Sequence, residues 1–190
     1  MGLCGAGVDS LSPRGISSAC RGGLLGQAFD AYAALRYLTT LEDVDPACIA
    51  VLGQSMGGGS ALYALDRDLG AQYFTGRFRA AIVYYPSCGI PGANLTAPTL
   101  ILIGDKDDWT LADRCRDMVA RARSDGAPIA LIVYPGVHHN FDVALLTPGV
   151  RYRGIWLEYN EPAAKDAEEQ TRAFLARYLA RAASVLPAAK

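Results

Sequence analysis

Apolar positions along the chain fall into two alternating patterns. Short unbroken runs occupy 48–53 (CIAVLG), 78–85 (FRAAIVYY), 98–104 (PTLILIG) and 127–135 (APIALIVYP). Runs of this length, rich in Ile, Val and Leu and without polar alternation, predict strands of a parallel sheet covered on both faces. A weaker, glycine-rich run at 5–10 (GAGVDS) is a further strand candidate. Between the runs, apolar residues recur three and four positions apart. That spacing predicts helices over 24–41, 56–69, 110–126 and 162–186. Thr110 is a cap candidate for the third, and Pro162 sits where a helix tolerates proline, at its start. The order β-α-β-α-β-β-α-β-α predicts an α/β fold of three layers, with a mostly parallel sheet between helices. No repeat or linker divides residues 1–190, so one domain is expected, with 140–161 as its one long irregular connection.

The stretch GQSMG, residues 53–57, falls where a predicted strand gives way to a glycine-led helix. Reactive groups collect at the carboxyl ends of parallel strands. A G-x-S-x-G turn between strand and helix holds its serine out at that edge. Ser55 is therefore a candidate nucleophile, with small neighbours at Gly53 and Gly57. The N–H of Met56, at the helix N-terminus, is the candidate oxyanion donor. The competing reading is a glycine-rich turn that packs or holds phosphate.

A serine nucleophile needs a base, and the base needs an orienting carboxylate. The strand at 98–104 runs into GDKDDWT, which carries Asp105, Asp107 and Asp108. The strand at 127–135 runs into GVHHNFD, with His138 and His139, the only two histidines of the chain. Serine, then acid, then histidine is the chain order this kind of sheet uses. A helix-terminal charge cluster and a polar loop are the plainer alternatives.

Composition narrows the setting. The 190 residues are 51% hydrophobic and 19% charged, with a net charge of −1, which suits one packed core. No basic block points to nucleic acid, and no apolar run approaches a membrane span. The start, MGLCGAGVDSLSPRG, has neither the basic nor the apolar region of a signal peptide. A cytoplasmic location is therefore expected, with secretion of a full-length form left open. The five cysteines (Cys4, Cys20, Cys48, Cys88, Cys115) show no C-x-x-C and no zinc spacing. Cys88 and Cys115 both follow strand ends, which leaves a pairing of the two open in an oxidising compartment, with a buried free thiol as the default for each.

The segments VDSLSPRG, DAYAALRYL, VDPACIAVLGQSMGGGSAL, VYYPSCG, LILIGDKDDWT, YPGVHHNFD and AFLARYL span Val8 to about residue 180. Together they resemble the dienelactone hydrolase family of α/β-hydrolases. The resemblance implies hydrolysis of a carboxylic ester or lactone through an acyl-enzyme, with a small-molecule partner and no metal or organic cofactor. It implies Asp107, in a G-x-x-D pattern, as the acid. It implies His139, followed by Asn140 and Phe141, as the base; Asp108 and His138 are the fallback choices. It also implies that Arg14, at a loosely matching offset, holds a substrate carboxylate, against the plainer reading of a surface arginine. Tyr85 and Trp109 are candidate pocket walls, with core packing and helix capping as their alternatives.

Two departures qualify the resemblance. The best-known family members use cysteine where this chain has Ser55, which points toward a general esterase. The family also has further N-terminal strands, one of them ending in a His-Gly loop that donates the second oxyanion N–H. No such segment precedes Val8. An N-terminally truncated α/β-hydrolase fold is therefore expected, and losing one oxyanion donor costs about a hundred- to a thousandfold in rate. The alternatives to an active esterase are an inactive remnant, a piece completed by a partner chain, and a peptidase or acyltransferase on the same triad.

Overall fold

The computed structural model describes residues 3–17, 23–91 and 93–180. A four-stranded parallel sheet holds β1 (Ala50–Gln54), β2 (Ala80–Tyr84), β3 (Thr99–Gly104) and β4 (Ile129–Tyr134), in that spatial order. Four helices accompany it: α1 (Leu24–Leu38), α2 (Met56–Leu65), α3 (Ala112–Ala120) and α4 (Glu161–Leu179). The two central strands are buried along their whole length, as their unbroken apolar runs require.

Strand alternation assigns the layers. Gly53 of β1 lies directly against the start of α2 and pairs with Val83 across the ladder. The neighbouring pair, Gln54 and Tyr84, points to the other face. There the Tyr84 hydroxyl donates to the Ala167 carbonyl and lies 2.9 Å from Thr171 Oγ1, both on α4. Helices α2 and α4 therefore cover opposite faces, and α1 packs on α2. The result is the three-layer α/β architecture that the apolar pattern predicts.

Three expectations are corrected. The run at 5–10 forms no strand; it is an exposed irregular stretch ending in a turn, where Asp9 Oδ1 accepts from the N–H groups of Leu11 and Ser12. Three glycine and alanine residues offer little side-chain packing to offset the entropy of ordering a strand. The connection 140–161 is not wholly irregular. It contains an antiparallel hairpin of β5 (Val150–Tyr152) and β6 (Ile155–Leu157). Cys88 and Cys115 are not free thiols but a disulfide, which ties the segment after β2 to α3. Cys20 and the predicted end of the last helix beyond residue 180 lie outside the described residues. Among those described, no helix is long and apolar enough to cross a membrane.

The disulfide closes a loop with a sequence separation of 27 residues. A loop of that size corresponds to about 3.5 kcal/mol of stabilisation through the unfolded chain. The Cys88→Ala/Cys115→Ala variant should lose roughly that amount in urea unfolding, and an unchanged midpoint would contradict it.

Candidate active site

The site grows out of the turn between β1 and α2. Backbone atoms of Gly57 and Gly58 approach Gly53 so closely that a Cβ there would lie 2.3 Å from the Gly57 carbonyl oxygen. Only glycine fits. The chain then turns through Ser55, whose φ of 50° and ψ of −116° are sparsely populated for a residue with a side chain. Its N–H donates to the Tyr84 carbonyl at 2.9 Å, which fixes the turn to β2. Met56 is the first residue of α2, where the leading N–H groups have no partner within the helix. Ser55, Met56 and Gly57 line a cavity of about 270 Å³ together with Val8, Leu11 and Gln27.

His139 faces Ser55. Its Nε2 lies 3.0 Å from Ser55 Oγ and its Nδ1 lies 2.7 Å from Asp107 Oδ2. A carboxylate only accepts, so Nδ1 carries the imidazole proton and Nε2 is left to accept from the serine hydroxyl. Asp107 is itself fixed by its own turn. Its Oδ1 accepts from the N–H groups of Trp109 (2.9 Å) and Thr110 (2.8 Å). Thr110 Oγ1 lies 2.9 Å from Asp107 Oδ2 and 3.0 Å from the Tyr85 carbonyl. Both Asp107 and His139 are buried. The structure thus brings together Ser55, Asp107 and His139, the three residues first preferred on sequence.

The neighbours sort themselves just as plainly. Asp105 accepts from the Gly136 N–H outside the site. His138 points toward Glu158 and Trp156. Gly104, at the end of β3, lets the histidine segment close in: a Cβ there would lie 2.0 Å from the Val137 carbonyl oxygen. Phe141 is fully buried and packs against Tyr84, Tyr85 and Tyr134, which anchors the segment just past the base.

Three expected substrate contacts are corrected. Arg14 forms a two-pronged pair with Asp30 of α1, at 2.6 and 2.8 Å, and its Nη1 also donates to the Ser10 carbonyl. Its guanidinium is occupied by the protein's own carboxylate and does not line the Ser55 cavity. Tyr85 is fully buried, so it is no pocket wall. Its ring lies 4.5 Å from that of His139, and its hydroxyl donates to Asp142 Oδ1 at 2.7 Å. Burial, reinforced by the Asp142 charge, pushes the phenol up and keeps it a donor. Trp109, like Arg14, does not line the Ser55 cavity; its ring lies 5.2 Å from that of His139 and is partly exposed.

Asp142 is the functional neighbour that sequence reasoning missed. Besides Tyr85, it accepts from Gln54 Nε2 at 2.5 Å. One carboxylate therefore holds the histidine segment to the ends of both β1 and β2. Its only signal in the sequence is its place three residues after His139.

The profile of the dienelactone hydrolase family matches residues 24–179. The chain belongs to the dienelactone hydrolase family. An uncharacterized Mycobacterium tuberculosis protein is 34% identical over 132 residues, covering 60% of this chain and 46% of its own length. The chain thus spans about half the length of that relative. Among solved structures, a dienelactone hydrolase-like promiscuous phosphotriesterase from metagenomic libraries superposes with a TM-score of 0.61 at 18% identity, over 80% of this chain and 62% of that one. A thermophilic esterase of Thermogutta terrifontis gives 0.59 at 18% identity, over 81% and 64%. Dipeptidyl peptidase 4 of Porphyromonas gingivalis gives 0.60 at 17% identity, over 82% and 23%. At these identities the likeness is one of fold.

Strain at Ser55 is separable from its chemistry. A residue held at this backbone conformation costs about 1–3 kcal/mol, and glycine escapes most of that. Ser55→Gly should therefore be more stable than Ser55→Ala by about 1 kcal/mol in chemical denaturation, although both lack the hydroxyl. Equal stabilities would argue against a strained turn.

Proposed function

We propose that this family member is a serine hydrolase that cleaves a carboxylic ester or lactone of a small molecule through an acyl-enzyme on Ser55. One observation carries the reading: a strained strand-to-helix turn aims Ser55 Oγ at His139 Nε2, 3.0 Å away, while Asp107 holds the opposite nitrogen at 2.7 Å.

The chemistry follows from that arrangement. Ser55 Oγ attacks the carbonyl carbon as its proton passes to His139 Nε2. The imidazolium formed is stabilised by the adjacent Asp107 carboxylate. Charge builds on the carbonyl oxygen, which the Met56 N–H and the N-terminal field of α2 favour. Collapse breaks the bond to the leaving oxygen, which takes the proton from Nε2. Water then attacks the acyl carbon, gives a proton to His139 and releases the acid, and Ser55 recovers its hydrogen. Serine in place of cysteine raises the demand on the base, since a hydroxyl is far less acidic than a thiol.

The proposal extends to setting. A persistent disulfide such as Cys88–Cys115 suits an oxidising compartment better than a reducing cytoplasm.

The direct test is labelling with a fluorophosphonate, which reports an activated serine. Labelling of the folded protein should be lost in Ser55→Ala and in His139→Ala. Asp107→Asn should keep the fold and lower ester turnover by about ten-thousandfold, through the wrong imidazole tautomer. Wild-type protein that folds and does not label would overturn the reading in favour of an inactive scaffold.

A further inference from the structure

We propose that Trp109 and Tyr152 form an aromatic shelf beside His139 that binds the leaving group of aryl esters. The inference rests on the serine hydrolase reading for its chemistry, but not for the existence of the shelf. In that chemistry His139 Nε2 returns its proton to the departing oxygen, so the leaving group must sit against the imidazole at that moment.

The imidazole has two aromatic neighbours of different kinds. Tyr85 lies behind it, with no exposed surface. Trp109 lies beside it at 5.2 Å and is 37% exposed. The Tyr152 ring continues that surface outward, 6.0 Å from Trp109 and inclined by only 32°, with 43% of the residue exposed. Two contiguous exposed aromatic rings next to a catalytic base offer a planar aromatic group more contact than a short alkyl chain can use.

The shelf is mechanically joined to the base. Tyr152 ends β5, and its partner strand β6 reaches His139 directly. Leu157 bridges to His139, and the Glu158 N–H donates to the His139 carbonyl at 3.3 Å. The guanidinium of Arg153 lies over the Tyr152 ring, 5.5 Å from its centroid. The backbone N–H of Trp109 donates to Asp107 Oδ1, which ties this stretch of backbone to the acid turn. The rings are therefore held in register with the proton that the leaving group must receive. A phenol bound there departs as the acyl carbon–oxygen bond breaks, its oxygen taking the Nε2 proton, while the acyl group stays on Ser55.

Saturation-transfer NMR on Ser55→Ala, with phenyl acetate and ethyl acetate as probes, tests the shelf without turnover. Saturation should reach the phenyl protons, fall at least about threefold when Tyr152→Ala is added, and recover with Tyr152→Phe. Equal phenyl signals in Ser55→Ala and Ser55→Ala/Tyr152→Ala would overturn the shelf. With the native serine, the ratio of kcat/KM for phenyl over ethyl acetate should fall about three- to tenfold in Tyr152→Ala, through KM for the phenyl ester. An unchanged ratio would overturn its role in selectivity. If the wild-type protein neither labels with fluorophosphonate nor cleaves either ester, the hydrolase reading fails, and the NMR signals still decide the shelf.

Discussion

Helix α2 begins so close to the end of β1 that no side chain fits between them, and the site depends on that contact. The backbone of Gly57 and Gly58 occupies the space where a Cβ of Gly53 would be. With strand and helix held this tightly, the connecting residue has no relaxed conformation available. Ser55 takes a positive φ and its side chain leaves the turn at the sheet edge. The first N–H groups of α2, which like those of any helix start have no partner within the helix, follow Ser55 directly. The outward placement of the Ser55 hydroxyl and its position at the start of α2 thus trace to one tight turn.

That constraint is met by strain elsewhere on the same edge. Tyr85 has a φ of 36° and Asn140 a φ of 60°, and both sit immediately beside groups that touch the triad. Each such residue costs about 1–3 kcal/mol, so the surrounding structure must over-determine them. It does so from two sides. The strands β2 and β3 are buried throughout and give a rigid base. Asp142 gathers Tyr85 and Gln54 onto the histidine segment, joining three chain segments at the point where the ladders end.

Much of this was legible in the sequence, and the exceptions have physical causes. The unbroken apolar runs located β1 to β4 to within a few residues, although burial on both faces holds only for β2 and β3; the outer strands β1 and β4 are partly exposed, Leu52 of β1 among them. The triad was legible because each member follows its own strand end. Helix ends were overextended where polar side chains intercept the backbone. Thr39 and Thr40 hydroxyls donate to the carbonyls of Arg36 and Tyr37, closing α1 at Leu38 rather than 41. Asp66 accepts from the N–H groups of Asp68 and Asn94, turning the chain after α2 at Leu65 rather than 69. The role of Arg14 is hidden in the sequence because its partner, Asp30, lies sixteen residues away on α1. The Cys88–Cys115 pair and the reach of Tyr152 to Trp109 are likewise long-range matters. Strands of three residues, as in β5 and β6, carry too little pattern to announce a hairpin.

The acid turn shows how orientation and recognition come from the same few atoms. Asp107 spends one oxygen on the N–H groups of Trp109 and Thr110 and offers the other to His139. The turn therefore sets the carboxylate before the imidazole arrives, and the same bonds fix the backbone that carries Trp109. Moving Asp107 to suit a different base position would carry Trp109 with it. On the far side, the disulfide fastens α3, which follows this turn, to the segment leaving Tyr85, which backs the imidazole. The covalent link spans the two pieces of chain that flank His139. It thereby resists the one displacement, parting of the acid turn from the end of β2, that would loosen the base from both of its aromatic neighbours.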